Sequence, residues 1–300
     1  MKIIVSGGTG FIGTRVVERF KRDDHYVAVY SRQPGKEQRT GIGSYFWDPL
    51  GAPPSEDSLH DMDTVIHLAG ESVAQRWNDK VKQRIRDSRV LGTRSLVSTI
   101  GRVRHKPTTL VCASAIGIYG NRADELLTET SITGDGFLAD VCREWEAEAD
   151  RATQYGLRVV KLRIGFVLGT DGGALKEMLP AFRLGLGGRL GFSGKQWMPW
   201  IHVDDLCGII HRVVTDNSVN GVWNAVAPNP VRNREFTREM GKVLHRPTIF
   251  PAPAAALKLL FGEFAEHMID SARVLPEAAE KAGYQFQYRE AGSALRNLIG

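Results

Sequence analysis

The chain has 300 residues, of which 42% are hydrophobic and 24% charged, with a formal net charge of +5. That is the balance of a soluble globular protein, one large α/β domain or two unequal ones. No apolar run approaches the ~18 residues that span a bilayer. The basic residues are spread along the chain, which argues against nucleic acid and suits an anionic cofactor or substrate. Lys2-Ile3-Ile4-Val5 is too short for the apolar core of a secretion signal. Cys112, Cys142 and Cys207 are widely separated in apolar surroundings. They suit a reducing, cytoplasmic setting, with neither a disulfide frame nor a metal site. The sequence leaves a homodimer open.

Short apolar runs alternate with helical patterns from the start. Strands are expected at Ile3–Ser6, Tyr26–Ser31, Thr64–Ala69, Thr109–Ala115 and Leu157–Ile164. Helices are expected at Phe11–Arg22, Lys80–Val103 and Leu138–Tyr155. This alternation predicts a Rossmann-type, doubly wound parallel sheet with helices on both faces. Gly35–Asp57 is rich in Gly and Pro and reads as irregular, with a short strand near Tyr45–Trp47. Beyond Gly169 the glycines multiply. One helix is expected at Leu175–Leu184, then a glycine-rich loop, helices at Val203–Asp216 and Asn233–Leu244, and a strand at Val222–Val226 between them. Pro251 and Pro253 precede a helix at Ala254–Phe261, and Pro276 opens another. The expected division is a dinucleotide-binding domain over 1–168, to which 200–228 returns, and a smaller, mostly helical part from 169–199 and 229–300. That part would sit over the carboxyl ends of the strands, where open α/β sheets bind ligands.

The chemistry concentrates in Ser6-Gly7-Gly8-Thr9-Gly10-Phe11-Ile12-Gly13, which follows the first strand at once and opens an amphipathic helix. Glycines at 7, 10 and 13 allow the tight turn, the close approach of a pyrophosphate and the helix–strand packing. The helix N-terminus adds N–H donors and positive potential. The second strand ends at Tyr30-Ser31-Arg32. An NAD site usually carries an acid there, for the ribose hydroxyls. A hydroxyl and a guanidinium suit a 2′-phosphate instead, so the expected cofactor is NADP(H).

Several further segments extend this motif: His67-Leu68-Ala69-Gly70-Glu71, Ser88-Arg89-Val90-Leu91-Gly92-Thr93, Ser114-Ala115-Ile116-Gly117-Ile118-Tyr119-Gly120 and Met198-Pro199-Trp200-Ile201-His202-Val203-Asp204-Asp205. With them the chain resembles the extended short-chain dehydrogenase/reductase superfamily over essentially its whole length. Within it the chain resembles the SulA-like NAD-dependent epimerase/dehydratase subgroup, which includes epimerase family proteins of the SDR39U type. The resemblance implies that Gly7, Thr9, Gly10, Phe11, Ile12 and Gly13 cradle the cofactor, with Ser31 and Arg32 at its 2′-phosphate. It places Leu68, Ala69, Gly70 and Glu71 beside the adenosine, and Val167 at the nicotinamide through its backbone. Arg89 stands where relatives carry Asn. It reads equally as a cofactor contact and as a helix-surface ion pair. His67 reads as a packed strand residue, and His202 as a residue that fixes the chain where the next helix begins.

The same resemblance implies a Ser, Tyr and Lys catalytic set, with Tyr-x-x-x-Lys at the start of the third helix. With Glu146 matched to the usual downstream Glu, Leu138 falls at the Tyr position and Cys142 at the Lys position. Neither can do the work of its counterpart. Ser114 and Tyr119 are the polar candidates left near the nicotinamide, Tyr119 reading more simply as a packed aromatic and Glu129 as a solvated carboxylate. Lys195 and Gln196 read equally as substrate contacts and as loop packing. Two functions stay open: an NADP-dependent oxidoreductase or epimerase on a small polar or nucleotide-linked substrate, and a non-catalytic NADP(H)-binding redox sensor or cell-division regulator.

Overall fold

A computed structural model describes residues 1–35, 41–252 and 254–300, with the side chains of 254–256 and 260 outside the description. Part of the irregular stretch Gly35–Asp57 and Pro253 therefore lie outside the described residues. Seven strands form one sheet: β1 (Lys2–Ser6), β2 (Tyr26–Ser31), β3 (Gly43–Phe46), β4 (Thr64–His67), β5 (Thr109–Ala115), β7 (Arg158–Ile164) and β11 (Gly221–Ala225). Their spatial order is β11-β7-β5-β4-β1-β2-β3, and every neighbouring pair is parallel. The order runs one way from β1 and the other way from β4. The switch point, where dinucleotides bind in such sheets, therefore lies between β1 and β4.

The strands are apolar on both faces because helices cover both. Along β1, Ile3 and Val5 face a core shared with α1 (Phe11–Arg22) and α5 (Val203–Thr215). Ile4 faces the opposite core, shared with α2 (Asp79–Arg102) and α3 (Phe137–Asp150). In α1 the buried positions are Gly13, Val16, Val17 and Phe20, one stripe of the 3.6-residue period. Helix α2 starts at Asn78, whose side chain accepts from Val81 N at 2.9 Å.

The C-terminal region is mainly helical, with α4 (Gly173–Arg183), α6 (Asn233–Leu244), α7 (Ala254–Phe261), α8 (Phe264–His267) and α10 (Ala291–Ile299). Leu175 and Phe182 of α4, Phe236 and Met240 of α6, Leu295 of α10 and Trp200 share one buried cluster. Among the described residues three two-stranded pairs accompany the main sheet: β6 (Leu126–Leu127) with β13 (Arg273–Val274), β8 (Phe166–Leu168) with β10 (Trp200–His202), and β9 (Trp197–Met198) with β12 (Val231–Arg232). The sequence reading did not single out these pairs or α10. Strands of two or three residues are too short to carry a periodic signal. The chain also crosses back once more: α9 (Glu277–Lys281) brings Ala279, and the loop after it brings Phe286, into the core beneath α1 and α5.

The Ile201-His202-Val203-Asp204-Asp205 segment fastens the two parts. His202 caps α5 by accepting from Asp204 N at 3.1 Å through Nδ1, and its Nε2 lies 3.2 Å from Asn297 Oδ1. Its ring stacks on Tyr288 with centroids 3.9 Å apart. The buried Asp205 carboxylate accepts from Gln287 N at 2.8 Å and Tyr288 N at 2.9 Å. Burial raises its pKa, against the pull of those amides. Among the described residues no helix is long and apolar enough to cross a membrane.

Candidate functional site

The turn after β1 is shaped by what a side chain would strike. Gly7 has φ +70°, and a Cβ there would lie 2.9 Å from the Leu68 carbonyl carbon, so the turns after β1 and β4 touch. A Cβ on Gly13 would lie 2.1 Å from the Gly7 carbonyl oxygen, which fixes how closely α1 approaches the strand. Gly10 is different: it is exposed, and the Gly7 carbonyl at 3.2 Å is the one neighbour its Cβ would meet. Gly10 is also the N-cap of α1. It provides no capping side chain, and the first turn holds no acid. The N–H groups that a cap would satisfy are left for an anion. This uncapped end beside the switch point fits the phosphates of a dinucleotide.

The neighbouring residues hold that opening in place. Ser6 Oγ accepts from Ala69 N at 3.2 Å and lies 2.6 Å from His67 Nδ1, while His67 Nε2 lies 3.0 Å from Thr93 Oγ1. The proton arrangement that satisfies every group has Ser6 donating to Nδ1 and Nε2–H donating to Thr93. His67 is fully buried, and burial together with Arg89 lowers its pKa to about 4. It is a neutral tie between β1, β4 and α2, as the sequence suggested. Glu71 N donates to Ser88 Oγ at 3.0 Å, and the Glu71 carboxylate pairs with Arg84 at 3.1 Å. Thr9 and Gly70 are exposed, and Ile12, Leu68 and Ala69 partly so.

Phe11 has a second role. A Cβ on Gly169, Gly172 or Gly173 would come within 2.4, 2.4 and 3.0 Å of its ring. The glycines after β8 make room for that ring, and Arg15 pairs with Asp171 beside it at 2.6 Å. The glycine turn is thus clasped to the loop that follows Val167, whose strand runs alongside β10.

At the end of β2, Ser31 is buried and its Oγ accepts from Gln33 N at 3.1 Å. Arg32 is exposed. Its side chain makes no hydrogen bond or ion pair among the described residues. Arg89 also forms no ion pair among the described residues, so the surface salt-bridge reading fails for it. It donates to Ile85 O at 3.1 Å, stacks over Trp145 at 5.2 Å, and would be 3.1 Å from a Cβ on Gly70. Burial lowers its pKa. Glu71 and Cys142 oppose that shift, and the guanidinium lies beside Gly70.

The hydroxyls expected near the nicotinamide are tied down. Ser114 donates to Glu146 Oε1 at 2.7 Å, and Glu146 is held by both Arg163 Nε at 2.9 Å and Nη2 at 3.0 Å. Tyr119 is fully buried. Its hydroxyl accepts from Arg163 Nη1 at 3.0 Å, donates to Asn224 Oδ1 at 2.7 Å and lies 3.0 Å from the Thr128 carbonyl. Burial raises the phenol's pKa against the pull of Arg163. Glu129 is not a solvated carboxylate. It is partly buried, and Oε1 accepts from Asn224 N at 2.9 Å and Ala278 N at 3.1 Å, so it pins β11 to α9. Burial raises its pKa, opposed by those amides. Leu138 packs on Gly117, where a Cβ would meet it at 3.2 Å. The Cys142 thiol is buried and pushed up to about 11, with Arg89 opposing the shift. Gln196 is also turned inward, donating to Leu190 O at 3.0 Å. Sequence reasoning did not find Arg163. Its signal was a guanidinium inside a strand covered on both faces, which demands a buried partner.

Comparison with known proteins agrees with this geometry. The family model described as "NAD dependent epimerase/dehydratase family" matches residues 3–225, and a domain of unknown function matches residues 252–298. The chain is 41% identical over 303 residues to the chloroplastic epimerase family protein SDR39U1 homolog of Arabidopsis thaliana, covering 100% of this chain and 87% of that one. It is 36% identical over 304 residues to the Homo sapiens epimerase family protein SDR39U1, covering 100% of both. The crystal structure of the human protein with NADPH superposes with a TM-score of 0.88 at 35% identity, covering 100% of this chain and 99% of that one.

Proposed function

Because this chain belongs to the NAD-dependent epimerase/dehydratase family, we propose that it binds NADP(H) at the switch point and works as an oxidoreductase or epimerase on a small polar or nucleotide-linked substrate. The observation that carries the reading is the uncapped N-terminus of α1, open beside Arg32, which has no partner of its own among the described residues. NADPH is the ligand crystallised with the human relative.

In this reading the backbone of Thr9, Gly10, Phe11 and Ile12 holds the pyrophosphate. Gly7 and Gly13 shape the turn, and Ser31 and Arg32 hold the 2′-phosphate. Leu68, Ala69, Gly70 and Glu71 border the adenosine. Arg89 supplies positive charge to the cofactor from the cleft wall, and the Val167 backbone orients the carboxamide. A bound nicotinamide supplies hydride chemistry, while the protein supplies orientation and electrostatics. Acid–base work by Ser114 or Tyr119 is left out, because internal partners already engage both hydroxyls.

That last observation favours a second reading, a protein that holds NADP(H) without turnover and reports redox state or serves a regulator. The test is to titrate NADPH and NADH into the native protein and then assay NADPH turnover on a panel of carbonyl and sugar-nucleotide substrates. Tighter NADPH binding with turnover on one substrate supports the first reading. Tight binding without turnover on any supports the second, and equal affinity for both cofactors overturns the NADP(H) assignment.

A further inference from the structure

At the amino-terminal edge of the sheet, two turns bring together histidines that lie far apart in the chain. The first runs from the short turn Glu56–Ser58 into β4, with His60 and Asp61 at its exposed tip. Leu59 and Met62, on either side of that tip, are buried in the core shared with α2 and α3. The second joins α2 to β5 and carries the exposed His105. Val103 is buried in the same core, and Pro107 is buried just beyond the histidine. Backbone laces the two turns together, Thr108 N donating to Asp63 O at 2.9 Å. Each exposed side chain therefore projects from a short backbone segment anchored on both sides.

Asp61 stands between the two imidazoles. Its Oδ2 lies 3.3 Å from His60 Nδ1, its Oδ1 lies 3.2 Å from His105 Nδ1, and the ring centroids are 5.3 Å apart. One ligand atom from each residue lies within 4.8 Å of the other two, and among the described residues this is the one such set of three. Asp61 and His105 are 44 positions apart, so no ligand spacing marks the set in the sequence.

The spacing suits a metal ion. Bonds of about 2.0–2.2 Å from zinc to imidazole nitrogen and carboxylate oxygen put the ligand atoms of a tetrahedral site roughly 3.3–3.6 Å apart. Both nitrogen–oxygen separations are already close to that. A cation at this point takes the place of the protons that the rings otherwise present to the carboxylate, because metal ligands bind deprotonated. Imidazole nitrogens favour zinc, nickel and copper, whereas magnesium and calcium take oxygen ligands. The neighbouring charges are engaged elsewhere: Asp63 accepts from Lys2 N at 2.6 Å, and Lys106 Nζ donates to Val103 O at 2.7 Å. Three protein ligands leave the fourth position of a tetrahedral ion to water.

We propose that His60, Asp61 and His105 form a binding site for a divalent transition-metal cation of the zinc type, which ties the turn before β4 to the turn before β5. The glycine turn lies at the opposite ends of the strands, so this site stands apart from the cofactor reading. Its bound ion braces the amino-terminal edge of the sheet.

The test uses the full chain without an affinity tag, stripped of metal with a chelator. Zinc chloride is titrated by calorimetry, and thermal unfolding is followed at rising zinc concentration. The native protein is expected to bind one equivalent saturably, and its Tm should rise with zinc beyond saturation, since the ion binds the folded state. Magnesium chloride at the same concentrations is expected to do neither. His60→Ala and His105→Ala should each weaken zinc binding by at least the ~10–100-fold that loss of a supporting contact around a metal costs. Both should lose the zinc-dependent rise in Tm. As exposed positions, they should melt close to the native protein without zinc. If either alanine variant fails to fold, the corresponding glutamine variant takes its place. His211→Ala, at a separate histidine–carboxylate contact with Asp23 at 3.0 Å, should leave zinc binding unchanged. Absence of saturable zinc binding in the native protein overturns the proposal. So does native-strength binding in either His60→Ala or His105→Ala, or binding that is lost in His211→Ala instead.

Discussion

The two ends of the cleft treat polar groups in opposite ways. At the glycine turn the first N–H groups of α1 have no cap, and Arg32 and Arg89 form no ion pair among the described residues. At the β5 end, Ser114, Tyr119, Glu146, Arg163 and Asn224 satisfy one another in one buried network. Both ends carry residues typical of active sites. The difference teaches that a polar group's unspent hydrogen-bonding capacity, more than its identity, marks where a ligand goes. Substitutions at the open end should change binding, and substitutions at the closed end should change stability.

The largest effect is expected at the turn. Gly10→Val should abolish NADP(H) binding, because the branched side chain enters the space above the α1 N-terminus, while the protein stays folded. A folded Gly10→Val protein that binds NADPH as the native does would break the comparison. At the closed end, Arg163→Met strands Glu146 and removes a donor from Tyr119. It should cost roughly 3–5 kcal/mol of stability, as loss of one partner of a buried ion pair does. Denaturant unfolding measures it, and NADPH affinity of the folded fraction should be kept. A variant that is stable yet has lost cofactor would place the network in the site after all.

Arg32→Ala should weaken NADPH binding by about ten- to a hundredfold, equivalent to ~1.5–3 kcal/mol for a charged hydrogen bond. NADH binding should hardly move, and titration of both cofactors checks this. An equal loss for the two would remove the 2′-phosphate from Arg32.

The buried tie at His67 predicts a pH effect. Its pKa in the fold is about 4, below the ordinary ~6.5 of an unfolded chain. Below pH ~6.5 the unfolded chain takes up a proton that the folded chain refuses, so stability falls as pH drops from there toward 4. This group contributes a slope of up to ~1.4 kcal/mol per pH unit, absent above pH ~7. Unfolding curves between pH 7 and 4 for the native protein and His67→Gln test it, the variant having the shallower slope. Identical slopes would show that His67 does not carry the effect. The smallest effect is expected for Cys142→Ser. A thiol pushed up to about 11 by burial is no nucleophile, so NADPH turnover on any substrate found should be unchanged. Activity that vanishes in this variant would make Cys142 a catalyst and reopen the closed end.

The sequence by itself determined the parallel sheet, the glycine turn and the expectation of NADP(H). Each rests on local pattern: apolar runs in β1, β2, β5 and β7, one stripe in α1, and a turn read within a few residues. It also led to the expectation that Leu138 and Cys142 do not replace the Tyr and Lys of the resemblance, since Leu exchanges no proton and a neutral thiol carries no ammonium charge. Only the tertiary structure decided which polar residues are spent. Ser114 meets Glu146, Tyr119 meets Arg163 and Asn224, and Glu129 meets α9, across 32, 44, 105 and 149 positions of chain in turn. It also decided that the glycines after β8 make room for Phe11. Hydrogen-bond satisfaction is a property of pairs brought together by the fold, and local periodicity carries no record of those pairs.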